Sequence, residues 1–192
     1  MPRSKEQFEK IRIRTRNKIL AKSLDLFATK GYDSTSASAI AGACGLSKSS
    51  LYHHFESKER ILITILENSY YDWKEKYGVA DQFDEPRQEL KRSVLASVQS
   101  IKENPKFYKI LSELQEKLPD TEEMQKLIAK ISSEKMADYA SLFKKMGFKD
   151  PLDEVYFFGA TLSGAIRAYL IIGENYPIDE IVNRLLKNYE IF

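Results

Sequence analysis

Between residues 5 and 30 the chain places Ile13, Leu20, Leu24 and Phe27 seven, four and three positions apart with charges between them, the period of an amphipathic helix. Lys30 and Gly31 mark its end: a cation complements the carbonyl end of the helix dipole, and glycine takes the left-handed conformation in which helices stop. Two short helices are predicted next. Ser36 caps residues 37–43, Gly45 breaks the run, and Ser47 caps residues 48–54. Ile40, Ala41 and Cys44 share a side with Leu46, Leu51 and Phe55, so the pair can pack on the first helix as a three-helix unit.

Ser57 caps a longer helix whose apolar stripe runs through Ile61, Leu62, Ile65, Leu66, Tyr70, Trp73 and Tyr77. Beyond residue 84 helices are predicted over 84–103, 105–117, 121–146, 151–173 and 177–191. They are punctuated by Asn104-Pro105, an Asp120/Glu123 capping box, Asp150-Pro151 and Tyr176-Pro177. No strand period competes, so the fold class expected is all-α, with about nine helices.

Composition changes this picture little. With 43% apolar residues, 30% charged residues, 8 Gly and 6 Pro in 192 residues, the chain has the makeup of a helical globular protein able to bury a real core. The single Cys44 cannot form an internal bridge, and the basic start of the chain has no apolar segment of the export type. No uninterrupted apolar run suggests a membrane span, so a cytoplasmic location with no membrane partner is expected.

Charge is more informative. Residues 1–60 carry 12 Lys+Arg against 6 Asp+Glu, and the remainder 18 against 22, so a basic head of +6 precedes an acidic body of −4. A polyanion is the expected partner of such a head. The division expected is residues 1–60 for the head and 61–192 for the body.

The segment "TSASAIAGACGLSKSSLYHHFESKE", residues 35–59, has the form of a helix-turn-helix, whose second helix enters the major groove. It also resembles the N-terminal signature of TetR-family transcriptional regulators. The matching elements are Gly31-Tyr32, Thr35-Ser36, Ile40-Ala41, Gly45-Leu46-Ser47, Lys48, Leu51-Tyr52, His54-Phe55 and Lys58-Glu59, in order and without a gap across residues 13–66. Ser38 and Ala39 depart from it, standing where many members carry arginine and an acidic residue.

The resemblance implies a DNA-contacting set of Ser36, Ser38, Lys48, Ser49, Ser50, Tyr52, His53, His54 and Lys58. Lys48, Ser49 and His53 would face the groove, and Ser38, Ser50, Tyr52, His54 and Lys58 the phosphates. The chemistry fits: lysine donates to guanine O6 and N7, and hydroxyls donate to phosphate oxygens. Arg12, Arg14 and Arg16 extend the basic surface and are expected to reach a neighbouring groove.

The resemblance further implies a ligand-sensing, dimerising body. Tyr70, Trp73, Phe107, Tyr139, Phe143, Tyr156 and Arg167 are the candidate walls of an effector pocket, suited to a hydrophobic or aromatic small molecule. Small residues at Ala160, Gly164 and Ala168, with Ile181, Leu185 and Tyr189 on the last helix, are the candidate dimer seam. The function expected is a ligand-released repressor bound as a homodimer to a pseudo-palindromic double-stranded DNA operator.

Two other classes compete. A helical interaction module, or a regulator that senses another protein, would share the helical plan. An enzyme would need a nucleophile, base or metal set, whereas His53 and His54 point about 100° apart and no other ligand stands at useful spacing. Neither an enzymatic activity nor a metal or other cofactor is expected.

Overall fold

The computed structural model describes residues 5–79, 85–116 and 118–190. Arg3, Phe83 and the expected ends of helices at residues 84, 117 and 191 lie outside the described residues. The described residues form nine α-helices: α1 (Lys5–Lys30), α2 (Ala37–Cys44), α3 (Lys48–His54), α4 (Lys58–Tyr77), α5 (Pro86–Glu103), α6 (Pro105–Glu116), α7 (Glu122–Lys145), α8 (Pro151–Ile172) and α9 (Ile178–Lys187). A short 3₁₀ turn, Gly173–Asn175, follows α8, and no strand occurs among the described residues.

The chain divides into two compact units: Met1–Ser69 with Glu113–Met124, and Tyr70–Ser112 with Gln125–Phe192. In the first, α2 packs on α1 and α3, and Ile19, Phe27, Ile40, Leu51, Ile61 and Leu62 are almost wholly buried. The buried line on α1 is Ile19, Ser23 and Phe27, whereas Leu20 and Leu24 are half-buried and Ile13 is 51% exposed. Isoleucines at 11, 13 and 19 fit more than one helical register, and only contact with α2 and α3 selects between them.

This unit also recruits residues far along the chain. The Thr121 hydroxyl donates to the Glu59 carboxylate, and Arg60 meets Glu123 at 2.8 Å, tying the first turn of α4 to the start of α7. Thr121, rather than Asp120, caps α7, accepting the Met124 N–H at 3.3 Å. Thr121 immediately precedes Glu122, the first residue of α7, which is the position from which a side chain caps a helix.

The second unit is built on α5, α7, α8 and α9. Leu90, Val94, Val98 and Ile101 along α5 join Leu142, Phe143, Phe158, Val182 and Leu186 in one apolar cluster. Phe143 is fully buried, with its ring 5.5 Å from Phe148, 5.6 Å from Phe158 and 5.3 Å from Tyr189. Beside the apolar line, α5 buries a second, polar one: Glu89, Ser93, Ser97 and Ser100. Ser93 donates to the Tyr77 carbonyl at 2.7 Å and lies 3.2 Å from the Tyr139 hydroxyl, Ser100 lies 2.7 Å from the Tyr108 hydroxyl, and Glu89 pairs with Arg92. Buried hydroxyls are tolerated because each finds a partner.

On α8 the apolar surface faces outward: Leu152, Tyr156, Phe157, Ile171 and Ile172 are 53–71% exposed. By length and composition the stretch Pro151–Asn175 is apolar enough to cross a membrane. That departs from the expectation of no span, because Arg167 breaks the apolar run without lowering its average enough. Leu185 and Tyr189, expected at a dimer seam, are each 4% exposed and packed in their own chain's core, so that expectation is corrected for both. The strong amphipathicity of α9 is satisfied within the fold.

Because Phe143 touches three rings, Phe143→Ala should lower unfolding stability by about 3–5 kcal/mol. Chemical denaturation would measure it, and a loss below about 1 kcal/mol would show that the cluster is loosely packed.

Candidate nucleic-acid interface

The geometry of α2 and α3 is set by their ends. The Ser36 oxygen accepts the Ala39 N–H at 3.1 Å, and the Ser47 oxygen accepts that of Ser50 at 3.0 Å, so each short helix starts on a capped turn. Between them Gly45 sits at φ 68°, left-handed, which lets the Leu46 N–H close on the Ala41 carbonyl at 2.9 Å. The Ser57 oxygen then accepts the Arg60 N–H at 2.9 Å and starts α4.

Burial decides which side of α3 is offered outward. Leu51 and Phe55 point into the core at 1% and 3% exposure, leaving Lys48, Ser49, Tyr52 and His53 exposed. The Lys48 ammonium lies 6.0 Å from the Tyr52 ring centre. Ser50 is half-buried, while Ser36 and Ser38 are exposed at the start of α2. These groups form a hydroxyl- and cation-bearing surface with no carboxylate on α2 or α3.

Two residues expected to touch phosphate are engaged inside the unit instead. Lys58 donates to the Tyr32 carbonyl at 2.8 Å and lies 4.0 Å over the Tyr32 ring, joining the end of α1 to the start of α4. His54 is half-buried, with a buried Nδ1 that has no partner among the described residues, and its carbonyl accepts from Arg16. The Arg16 guanidinium stands 4.0 Å over the Phe55 ring. Arg16, counted in the sequence with a basic arm, is therefore a clamp between α1 and the end of α3. Lys18 is a second clamp, donating to the Cys44 carbonyl at 2.9 Å.

These clamps were invisible in the sequence because a basic run on a helix reads as a solvated face. Their one signal was spacing: Arg16 and Lys18 lie just before the first buried residue of α1, Ile19. Electrostatics follow from the packing. Burial pushes the Tyr32 phenol up to about 12, with Glu59 and Asp33 adding to the shift. Burial raises the Cys44 thiol against the opposing pull of Lys18 and Lys22, which favours the thiol over the nucleophilic thiolate. His54 moves the other way: burial, then Arg16, Arg12 and His53, disfavour the imidazolium. No cluster of three or more metal-ligating side chains occurs among the described residues.

The model for "Bacterial regulatory proteins, tetR family" matches residues 19–65, a span holding α2 and α3. Over these residues the chain is similar to tetR-family regulators. It is 37% identical over 116 residues to YuxN of Bacillus subtilis strain 168, described as an uncharacterized HTH-type transcriptional regulator, covering 59% of this chain and 39% of YuxN. It is 36% identical over 55 residues to IcaR of Staphylococcus epidermidis, described as a negative transcriptional regulator of the biofilm operon icaADBC, covering 29% of this chain and 30% of IcaR. The chain thus covers less than half the length of these curated relatives. The SmeT–triclosan complex has the same fold, with a TM-score of 0.78 at 17% identity over 92% of this chain and 90% of SmeT.

Of the candidate effector residues, the structure brings some together and separates others. Tyr70 and Trp73 stack at 6.4 Å, and Tyr70 also meets Glu134, within a charged set that includes Lys74 and Asp138. Burial raises the Tyr70 phenol to about 12. Tyr139 and Phe143 meet at Phe158, Phe107 lies edge-on to Tyr108, and Tyr156 and Arg167 occupy exposed positions on α8.

The folded head holds His54 neutral more readily than the unfolded chain does, so its contribution is present above the ordinary value of 6.5 and is lost as pH falls through the lower folded value. Denaturation across pH 7 to about 5 should show stability falling in the wild type and falling less in His54→Gln. Equal slopes in both would exclude His54 as the source.

Proposed function

We propose that this chain is a transcriptional repressor that holds a pseudo-palindromic operator as a homodimer and releases it when a small hydrophobic or aromatic molecule binds the second unit. The carrying observation is α3 itself: Leu51 and Phe55 locked inward, with Lys48, Ser49, Tyr52 and His53 outward on a capped helix next to a glycine turn. A recognition helix needs this division, one face fixed by core contacts and the other carrying donors for base edges and phosphates. In the proposal Lys48, Ser49 and His53 read the groove, and Ser36, Ser38, Ser50 and Tyr52 hold phosphates. The His54 carbonyl holds the end of α3 to Arg16, and Lys58 ties the end of α1 to the start of α4. Repression is the mode printed for IcaR, and it is carried over here.

The apolar outer face of α8 supports the homodimer. Ala160 and Gly164 are exposed among Tyr156 and Phe157, and Ala168 and Ile181 are half-buried. A second copy covering this face removes it from water and sets two α3 helices on one stretch of DNA. The complex of SmeT with triclosan supports an aromatic effector, since the second unit here is also rich in rings. The effector acts by changing the separation of the two α3 helices. By linkage it weakens DNA binding only as far as DNA weakens its own binding. The regulator works in the bacterial cytoplasm, where chromosomal DNA is found.

Selection of bound fragments from the source genome, followed by affinities for the best site and for scrambled DNA across a salt series, tests the main claim. Lys48→Ala should cost about 1–3 kcal/mol on the selected site and relax preference at one or two base pairs. Uniform weak binding by the wild type, without sequence preference, would leave a helical interaction module as the better account.

The dimer has its own test. A Cβ added at Gly164 meets nothing within 4 Å in its own chain, so Gly164→Arg should fold normally by circular dichroism and sediment as a monomer where the wild type is a dimer. A variant that stays dimeric would move the seam off α8.

A further inference from the structure

We propose that the first three turns of α1 form a second DNA-contact element, in which Lys5 and Arg12 hold backbone phosphates flanking the groove occupied by α3; this rests on the DNA-binding role proposed above. Residues 5–14 are all exposed, and the first buried residue of α1 is Ile19. These turns therefore add no core burial to the unit, and helix propensity with weak pairs such as Lys10–Glu6 at 2.7 Å holds them. Lys5 to Arg16 carries five cations against two carboxylates.

The orientation of this arm follows from Arg16. Its guanidinium is fixed at the C-terminal end of α3, on the His54 carbonyl and the Phe55 ring. At about 100° per residue, positions 5, 9, 12 and 16 lie within roughly 60° of one another, whereas 10 and 14 point about 120–160° away from 12 and 16. Lys5, Glu9 and Arg12 thus continue the line that Arg16 begins, reaching about 16 Å beyond it at 1.5 Å per residue. Arg12 is close enough to the end of α3 to act on His54 together with Arg16.

A seven-residue helix is about 10 Å long and fits a major groove about 12 Å wide, so the phosphate strands bounding the groove pass beyond its ends. The arm stands at one of those ends. Arg12 is paired only loosely with Glu9, at 3.7 Å with both side chains more than half exposed, so exchanging that partner for a phosphate costs little. Lys10 and Arg14 carry the same charge on the other side of the helix. The full basic run is therefore split in function: Arg16 clamps α3, Lys5 and Arg12 contact DNA, and Lys10 and Arg14 face away.

The test uses the full chain and the best genomic fragment selected by the wild type. Affinities for that fragment and a scrambled control are measured from low to high salt for the wild type, for Lys5→Ala/Arg12→Ala and for Lys10→Ala/Arg14→Ala. Each phosphate contact contributes about 0.9 to the slope of log affinity against log salt, so the first pair should lower it by about 2. It should also weaken both DNAs by a similar factor, whereas the second pair should change the slope by less than about 1. A wild-type slope in the first pair, or equal losses in both pairs, would overturn the proposal. A wild type that binds no DNA would overturn both the arm and the DNA-binding role on which it rests.

Discussion

The contact on which the first unit most depends is that of Arg16 with the end of α3. One side chain donates to the His54 carbonyl and lies over the Phe55 ring, so it closes the last turn of a seven-residue helix and covers an apolar anchor. A helix this short is not stable by itself. It holds its orientation because Leu51 and Phe55 are buried on one side and Arg16, from another helix, occupies its carbonyl end. The outward direction of Lys48, Ser49, Tyr52 and His53 follows from that constraint. Burial of His54, with the charge of Arg16 adding to it, is also why the imidazole resists protonation, so the same contact that orients the surface is linked to pH.

The unit that carries α3 is not a contiguous stretch of chain. Glu113–Met124 belongs with it, joined at the start of α4 by the Thr121–Glu59 hydrogen bond and the Arg60–Glu123 pair. The second unit has a different character. Its α5 lays an apolar line and a hydroxyl-rich polar line side by side in the interior, and partner hydroxyls on Tyr108 and Tyr139 satisfy the serines. Ring contacts around Phe143 supply dense packing, while the exposed rings of α8 supply none within the chain. A buried face and an uncovered face thus occur on successive helices of one unit.

Helix existence and most boundaries were legible in the chain because they depend on local chemistry. Ser36, Ser47 and Ser57 cap where expected, Gly31 and Gly45 adopt the left-handed conformation, and the stripe from Ile61 to Tyr70 is buried. The ordered match from Gly31 to Glu59 disclosed the likeness to the tetR-family model for the same reason, since caps, turn and core positions are all local. The register of α1, the cap of α7 and the fates of Leu185 and Tyr189 were not legible. Each depends on which distant element arrives to cover a given face.

By itself, then, the amino-acid order determined the nine helices of the described residues, a capped helix-turn-helix and its likeness to the tetR-family model, because helix period, capping and glycine conformation act within a few residues. Tertiary structure alone decided which cations are clamps and which are left for a partner. It turned Arg16, Lys18 and Lys58 onto carbonyls and rings, left Lys48 and Arg12 exposed, buried α9 and uncovered α8. The physical reason is that a charge or an apolar face carries the same local signature whether it meets water, a neighbouring helix or another molecule, and only the three-dimensional arrangement of helices assigns it a partner.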